Sequence, residues 1–109
     1  FTYDLTADLA RKVLQIPLIV QEGPLFAPNA LELDLDLAKS LFAQLIEQTK
    51  RAQGVLTLLF HPHRMGDSAI RDLFKWSIEY ALENNGWCVS MRDLHDHWKR
   101  RLANLGFDV

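Results

Sequence analysis

The groups best able to move protons in this sequence lie at two points. The run Gly54 to His63, GVLTLLFHPH, delivers His61 and His63, with Arg64 and Asp67 close behind. The run Leu14 to Val20, LQIPLIV, is followed by Gln21 and Glu22. A carboxylate bonded to one imidazole nitrogen fixes the ring's tautomer and supports its protonated form, which a general acid or base requires. Glu22 and His61 are therefore the candidate catalytic pair, with a hydrogen-bonded structural histidine as the other reading of His61. His61-Pro62-His63 also reads as a His-x-His metal pair, because residues i and i+2 share a face of an extended chain. Such a site needs at least a third ligand, and Asp67 is the only close candidate. His95 and His97 lie two apart on a helical pattern and so face different ways. A metal held by this chain alone is not expected.

Other chemistries find little support. There is no glycine-rich phosphate loop and no G-x-S-x-G elbow. The single cysteine, Cys88, excludes an internal disulfide and reads as a small buried hydrophobe within Trp87-Cys88-Val89. Trp76, Trp87 and Trp98 can stack on sugar rings, although Trp87 and Trp98 read better as core residues.

The elements that must position these groups follow from periodicity. Leu14 to Val20 reads as a strand, with Pro17 pointing to an edge or an irregular stretch, and Gln21 to Asn29 as a loop. Leu37, Ala38, Leu41, Phe42, Leu45 and Ile46 form a helical stripe, capped by Asp34 or Asp36 and stopped by Gly54. Gly54 to His63 reads as a buried strand, because Val55 to Phe60 is nearly all apolar. After a loop from His61 to Gly66, Asp67 or Ser68 caps a second helix. Its inward residues are Ile70, Leu73, Phe74, Ser77, Ala81 and Leu82, and it ends at Asn84-Asn85-Gly86. Trp87 to Val89 reads as a short strand. A last helix follows a Ser90–Asp93 capping box and turns Met91, Leu94, Trp98 and Leu102 inward. Thr2 to Val13 fits a short helix.

Strands alternating with helices predict an α/β fold with a parallel sheet, in which ligands sit at the carboxyl ends of the strands. Three strands make a poor complete sheet, so the 109 residues read as a single α/β unit of a larger architecture, a partial (β/α) barrel. A hydrophobic content of 49% with 24% charged residues suits a folded globular unit. The net charge of -2 provides no basic field for nucleic acid. No stretch approaches the ~18 apolar residues of a membrane span, and the amino-terminal residues do not resemble a signal peptide.

Three stretches resemble the C-terminal part of the polysaccharide deacetylase family, carbohydrate esterase family 4. Gly54 to Pro62 looks like the family's late strand, a hydrophobic run ending in Leu-x-His. Leu14 to Phe26, LQIPLIVQEGPLF, looks like the preceding strand and loop, which carries an acidic partner for that histidine. Gly86 to Leu94, GWCVSMRDL, looks like the closing strand and helix. The resemblance implies the C-terminal half of a deformed (β/α) barrel and a metal-dependent hydrolase acting on acetylated carbohydrate. There a divalent, zinc-like metal polarises the acetyl group and activates water. His61 would be the acid toward the leaving amine, Glu22 its orienting carboxylate (the family usually has Asp), and Leu59 part of the acetyl pocket. Trp87 is the aromatic candidate for the sugar.

The family's Asp-Asp pair, His-x-x-x-His motif and Arg-x-Pro-Tyr-like stretch have no counterpart here. The chain is therefore expected to be inactive alone, as a fragment or a degenerate relative. A missing N-terminal half or an oligomer partner would cover its exposed strands. A non-catalytic carbohydrate-binding or structural remnant of the same barrel is the competing expectation, and a His-x-His metallohydrolase of the amidohydrolase type is the third.

Overall fold

A computed structural model describes residues 14–107, together with two short backbone segments nearer the amino terminus. Those segments, β1 (Tyr3–Asp4) and β2 (Leu9–Ala10), pair antiparallel with Tyr3 opposite Ala10. The helix expected over Thr2 to Val13 otherwise lies outside the described residues, and at these four positions the backbone is extended. The chain divides into two compact units, Pro17–Cys88 and a second formed by Phe1–Ile16 with Val89–Val109.

Within Pro17–Cys88, the order is β3 (Val20–Gln21), α1 (Glu22–Phe26), α2 (Leu35–Ala52), β4 (Leu58–Leu59), a 3-10 turn at Pro62–Arg64, and α3 (Ser68–Glu83). The two long helices begin where their capping residues dictate. The Asp34 side chain accepts the Leu37 N–H at 2.8 Å, and Asp67 accepts from Ala69 and Ile70. Each cap satisfies backbone donors that the first turn leaves without partners. Helix α2 ends with Gln53 in the left-handed region at φ 51°, so the reversal falls one residue before the expected stop at Gly54. After α3 the Gly86 N–H donates to the Ala81 carbonyl at 2.7 Å, and a Cβ at Gly86 would stand 2.7 Å from that same oxygen. Only glycine fits so close to the helix end.

Helices α2 and α3 pack together through their apolar stripes. Leu25, Ala38, Phe42 and Leu73 form the buried centre, flanked by Val20, Leu58 and Phe60 from the strand region. The Phe60 ring meets Phe42 and Phe74 edge-on, at 6.2 and 5.1 Å between centroids. Phe42 and Leu73 are fully buried, and each contributes about 1.5–3 kcal/mol of burial. Outside the core, the Tyr80 hydroxyl donates to Glu47 at 2.9 Å and joins the two helices a second time.

The expected strands shrink to two residues each. Strands β3 and β4 pair in parallel, with Val20 opposite Leu58 and Gln21 opposite Leu59. A pair this short needs help, and Pro17 cannot donate to a ladder. Thr57 reinforces the pair with its side chain. Its hydroxyl donates to the Pro17 carbonyl at 2.5 Å and accepts the Ile19 N–H at 3.0 Å. This side-chain clamp sets the register of the two strand ends.

The α/β expectation of a partial (β/α) barrel is overturned. The described residues are mostly helical, and their only parallel pairing is β3 with β4. An unbroken apolar run does not by itself make a doubly covered strand: Val55 is 44% exposed and Leu59 stands at the surface. Trp87 to Val89 runs without strand pairing, and Cys88 is exposed rather than buried. Glu22 begins a helix where a loop was expected. On α3, Phe74 and Leu82 are exposed although the stripe placed them inward.

In the second unit, α4 (Met91–Asn104) starts at Ser90, whose Oγ accepts the Asp93 N–H at 3.2 Å and donates to the Asp93 carboxylate at 2.7 Å. Leu94 is buried and Trp98 and Leu102 are half-buried, as the stripe predicts, but Met91 is exposed. No helix among the described residues is long and apolar enough to cross a membrane.

Replacing Thr57 by valine keeps the shape and removes both hydroxyl bonds. The expected loss is about 1–3 kcal/mol, read as a lower urea midpoint with an unchanged slope. An unchanged midpoint would show that the clamp does not hold the strand pair.

Candidate functional site

Because β3 and β4 run parallel and in register, the residues after Gln21 and after Leu59 leave the pair at the same end. Glu22 is the first residue of α1, and Pro24 is tolerated in that first turn because its missing N–H would have had no helical partner. The apolar neighbours of this short helix carry the Glu22 side chain inward, where it is fully buried. His61 follows β4 by two residues and is held by what comes next. Pro62 opens the 3-10 turn, and the Arg64 N–H returns to the His61 carbonyl at 3.0 Å.

The two side chains meet as the strand-end argument predicts. One carboxylate oxygen of Glu22, Oε1, accepts the His61 backbone N–H at 2.9 Å and the ring Nδ1–H at 2.6 Å. Burial pushes the Glu22 carboxyl up, but the ring and backbone N–H bonds from His61 outweigh it and hold the group below the ordinary glutamate range. The carboxylate is thus an acceptor only, which places the ring proton on Nδ1. No hydrogen bond to Nε2 is made among the described residues, and the His61 side chain is 32% exposed. The other oxygen, Oε2, is buried without a hydrogen-bond partner.

Two further groups stand close. The His63 ring lies 5.4 Å from that of His61, centroid to centroid. Arg64 Nε lies 3.7 Å from Glu22 Oε1. The sequence places Arg64 in the same loop as His61 but gives it no role; its position three residues after His61, across a proline-opened turn, is the signal that it can fold back. Thr57 was also missed, although it is the one polar residue inside VLTLLF.

The remaining candidates separate. Leu59 is 36% exposed and lies two residues before His61. Trp87 is 59% exposed in the segment after α3, and none of the hydrogen bonds or ion pairs of Glu22 and His61 described here involves it. Asp67, the proposed third ligand of a His-x-His site, spends its carboxylate on capping α3. No three His, Cys, Asp or Glu side chains among the described residues gather closely enough to hold a metal ion. The described residues therefore do not fit a metal, whereas the Glu22–His61 pair fits proton transfer. With Nδ1–H held by the carboxylate, Nε2 accepts a proton when the ring is neutral and donates one when it is charged.

Glu22→Gln keeps the shape and removes the charge. Bonds to a charged acceptor contribute about 1.5–3 kcal/mol, so the variant is less stable at neutral pH by a fraction of that order. The Glu22 pKa is lower folded than unfolded. Its stabilisation is therefore complete above the ordinary glutamate value and disappears as pH falls through the lower folded one. Urea midpoints of the two proteins should converge in acid; a gap that stays constant with pH would contradict the ionised pair.

Comparison of the chain with protein families, with curated proteins and with solved structures finds no match.

Proposed function

We propose that His61, held in place by Glu22, is the general acid of a hydrolase that removes acetyl groups from carbohydrate. The observation that carries this reading is one arrangement: an imidazole bonded through Nδ1 to a buried carboxylate, with Nε2 bare at the carboxyl ends of two parallel strands. The substrate class rests on the likeness of Gly54 to Pro62, Leu14 to Phe26 and Gly86 to Leu94 to the deacetylase stretches.

In this reading His61 enters the second half of the reaction as the imidazolium. As the bond between the acetyl carbon and the sugar nitrogen breaks, Nε2–H gives its proton to the leaving amine. Glu22 stabilises the positive ring before that transfer and fixes the direction of Nε2 throughout. Water supplies the new oxygen of acetate. Leu59 contacts the acetyl methyl group, and Trp87 offers its indole face to the sugar. The described residues do not fit a divalent, zinc-like ion. Its ligands, and the base that activates water, come from a further unit of the same or another chain, which would also cover the exposed side chains of Leu18, Ile19, Val55 and Leu59.

The test is acetate release from N-acetylated chito-oligosaccharide by the gene product that carries this chain. A positioned general acid contributes about 10²–10⁴-fold. His61→Ala should therefore lower kcat by that order, and Glu22→Gln by less. A His61→Ala protein that works at the wild-type rate would overturn the proposal. So would oligosaccharide binding that is unaffected by His61→Ala in a wild-type protein that releases no acetate, the outcome expected of a purely carbohydrate-binding unit.

A further inference from the structure

We propose that Arg64 is a positioning residue for the Glu22–His61 pair, supplying the fixed positive charge that keeps the buried carboxylate ionised while the His61 charge comes and goes. The proposal rests on the acid–base reading above, and three observations carry it. Glu22 is fully buried, and its ion pairs among the described residues are with His61 and Arg64 alone. Its second oxygen, Oε2, has no hydrogen-bond partner, so the carboxylate is under-compensated by His61 by itself. The Arg64 guanidinium is seated against Gly23, the residue next to Glu22. A Cβ at Gly23 would come within 3.3 Å of the guanidinium carbon.

A carboxylate out of contact with water is costly unless a cation or several donors accompany it. The imidazolium meets that need, but the ring loses its charge when it gives up its proton. At that moment a Glu22–His61 pair standing alone would tend to draw a proton onto the carboxylate, and Glu22 would cease to hold the ring's Nδ1–H. A guanidinium never titrates in this range. With Nε 3.7 Å from Oε1, Arg64 holds the carboxylate ionised through both states of the ring. Among the described residues, the other titratable side chain beside the pair is His63, also from the turn after His61. Gly23 belongs to the same device, since any side chain there presses on the guanidinium.

The experiment reads His61 directly. Histidine nitrogen signals of the whole chain are followed by NMR through a pH titration, in wild type, Arg64→Gln, Arg64→Lys and Gly23→Ala. Losing a fixed positive charge beside the pair favours proton uptake. In Arg64→Gln the His61 midpoint should therefore rise by about 0.5 pH unit or more. Arg64→Lys should stay near wild type, and Gly23→Ala should move the midpoint in the same direction by a smaller amount. Gly23→Ala leaves the arginine in place and so covers the case in which Arg64→Gln folds poorly. A His61 midpoint that is unmoved in both Arg64→Gln and Gly23→Ala, or that falls, would overturn the proposal. In the acetate assay Arg64→Gln should lower kcat with little change in KM, and an equal kcat would also count against it. Failure of the hydrolase reading itself would be seen separately, as a His61→Ala protein of full activity.

Discussion

A carboxylate buried in a small helical unit must be given donors, and Glu22 receives two from one residue. The backbone N–H and the ring N–H of His61 converge on Oε1 at 2.9 and 2.6 Å. Leaving that charge without partners would cost several kcal/mol, a large part of the stability of a domain this size. The contact therefore constrains both segments that make it. It requires the ends of β3 and β4 to lie side by side, and Thr57 enforces this at the other end of the same short pair. It also requires α1 to start at once after Gln21, which brings Leu25 into contact with Ala38, Phe42 and Leu73 in the core. The Glu22–His61 contact is thus part of what holds the unit together.

The sequence showed the pair but not its setting. That Glu22 and His61 meet followed from placing two apolar runs side by side in parallel, and this juxtaposition is local: it needs only two residue pairs of sheet. The Asp34, Asp67 and Ser90 caps were equally legible, because capping is decided by a side chain and the first turn of its own helix. What failed was the step from apolar runs to extended strands. VLTLLF reads as a strand covered on both faces, yet only Leu58 and Leu59 pair, because the partner run is interrupted by Pro17 and turns helical at Glu22. A (β/α) barrel needs repeated long pairings, and periodicity cannot tell a two-residue contact from a six-residue one. The same limit explains Cys88 and Trp87, apolar in type but left at the surface.

The surroundings of His61 also separate proton transfer from metal binding. A His-x-His pair is defined by its third ligand, and the carboxylate nearest in sequence is already committed to the start of α3. The 3-10 turn after His61 sets the His63 ring against that of His61 and brings Arg64 within ion-pair distance of the carboxylate. A proline at the head of that turn limits the ways it can fold. Sequence adjacency is here converted into a charge arrangement by one tight turn.

The central claim is that Glu22 holds the His61 ring with its proton on Nδ1 and its Nε2 lone pair bare. Long-range nitrogen–proton correlation NMR on the wild-type chain, at a pH where His61 is neutral, reads this tautomer directly. The account predicts a protonated Nδ1 and an unprotonated Nε2 for His61, changed in Glu22→Gln. A His61 ring that carries its proton on Nε2, or that exchanges freely between the two tautomers in the wild-type protein, would contradict it.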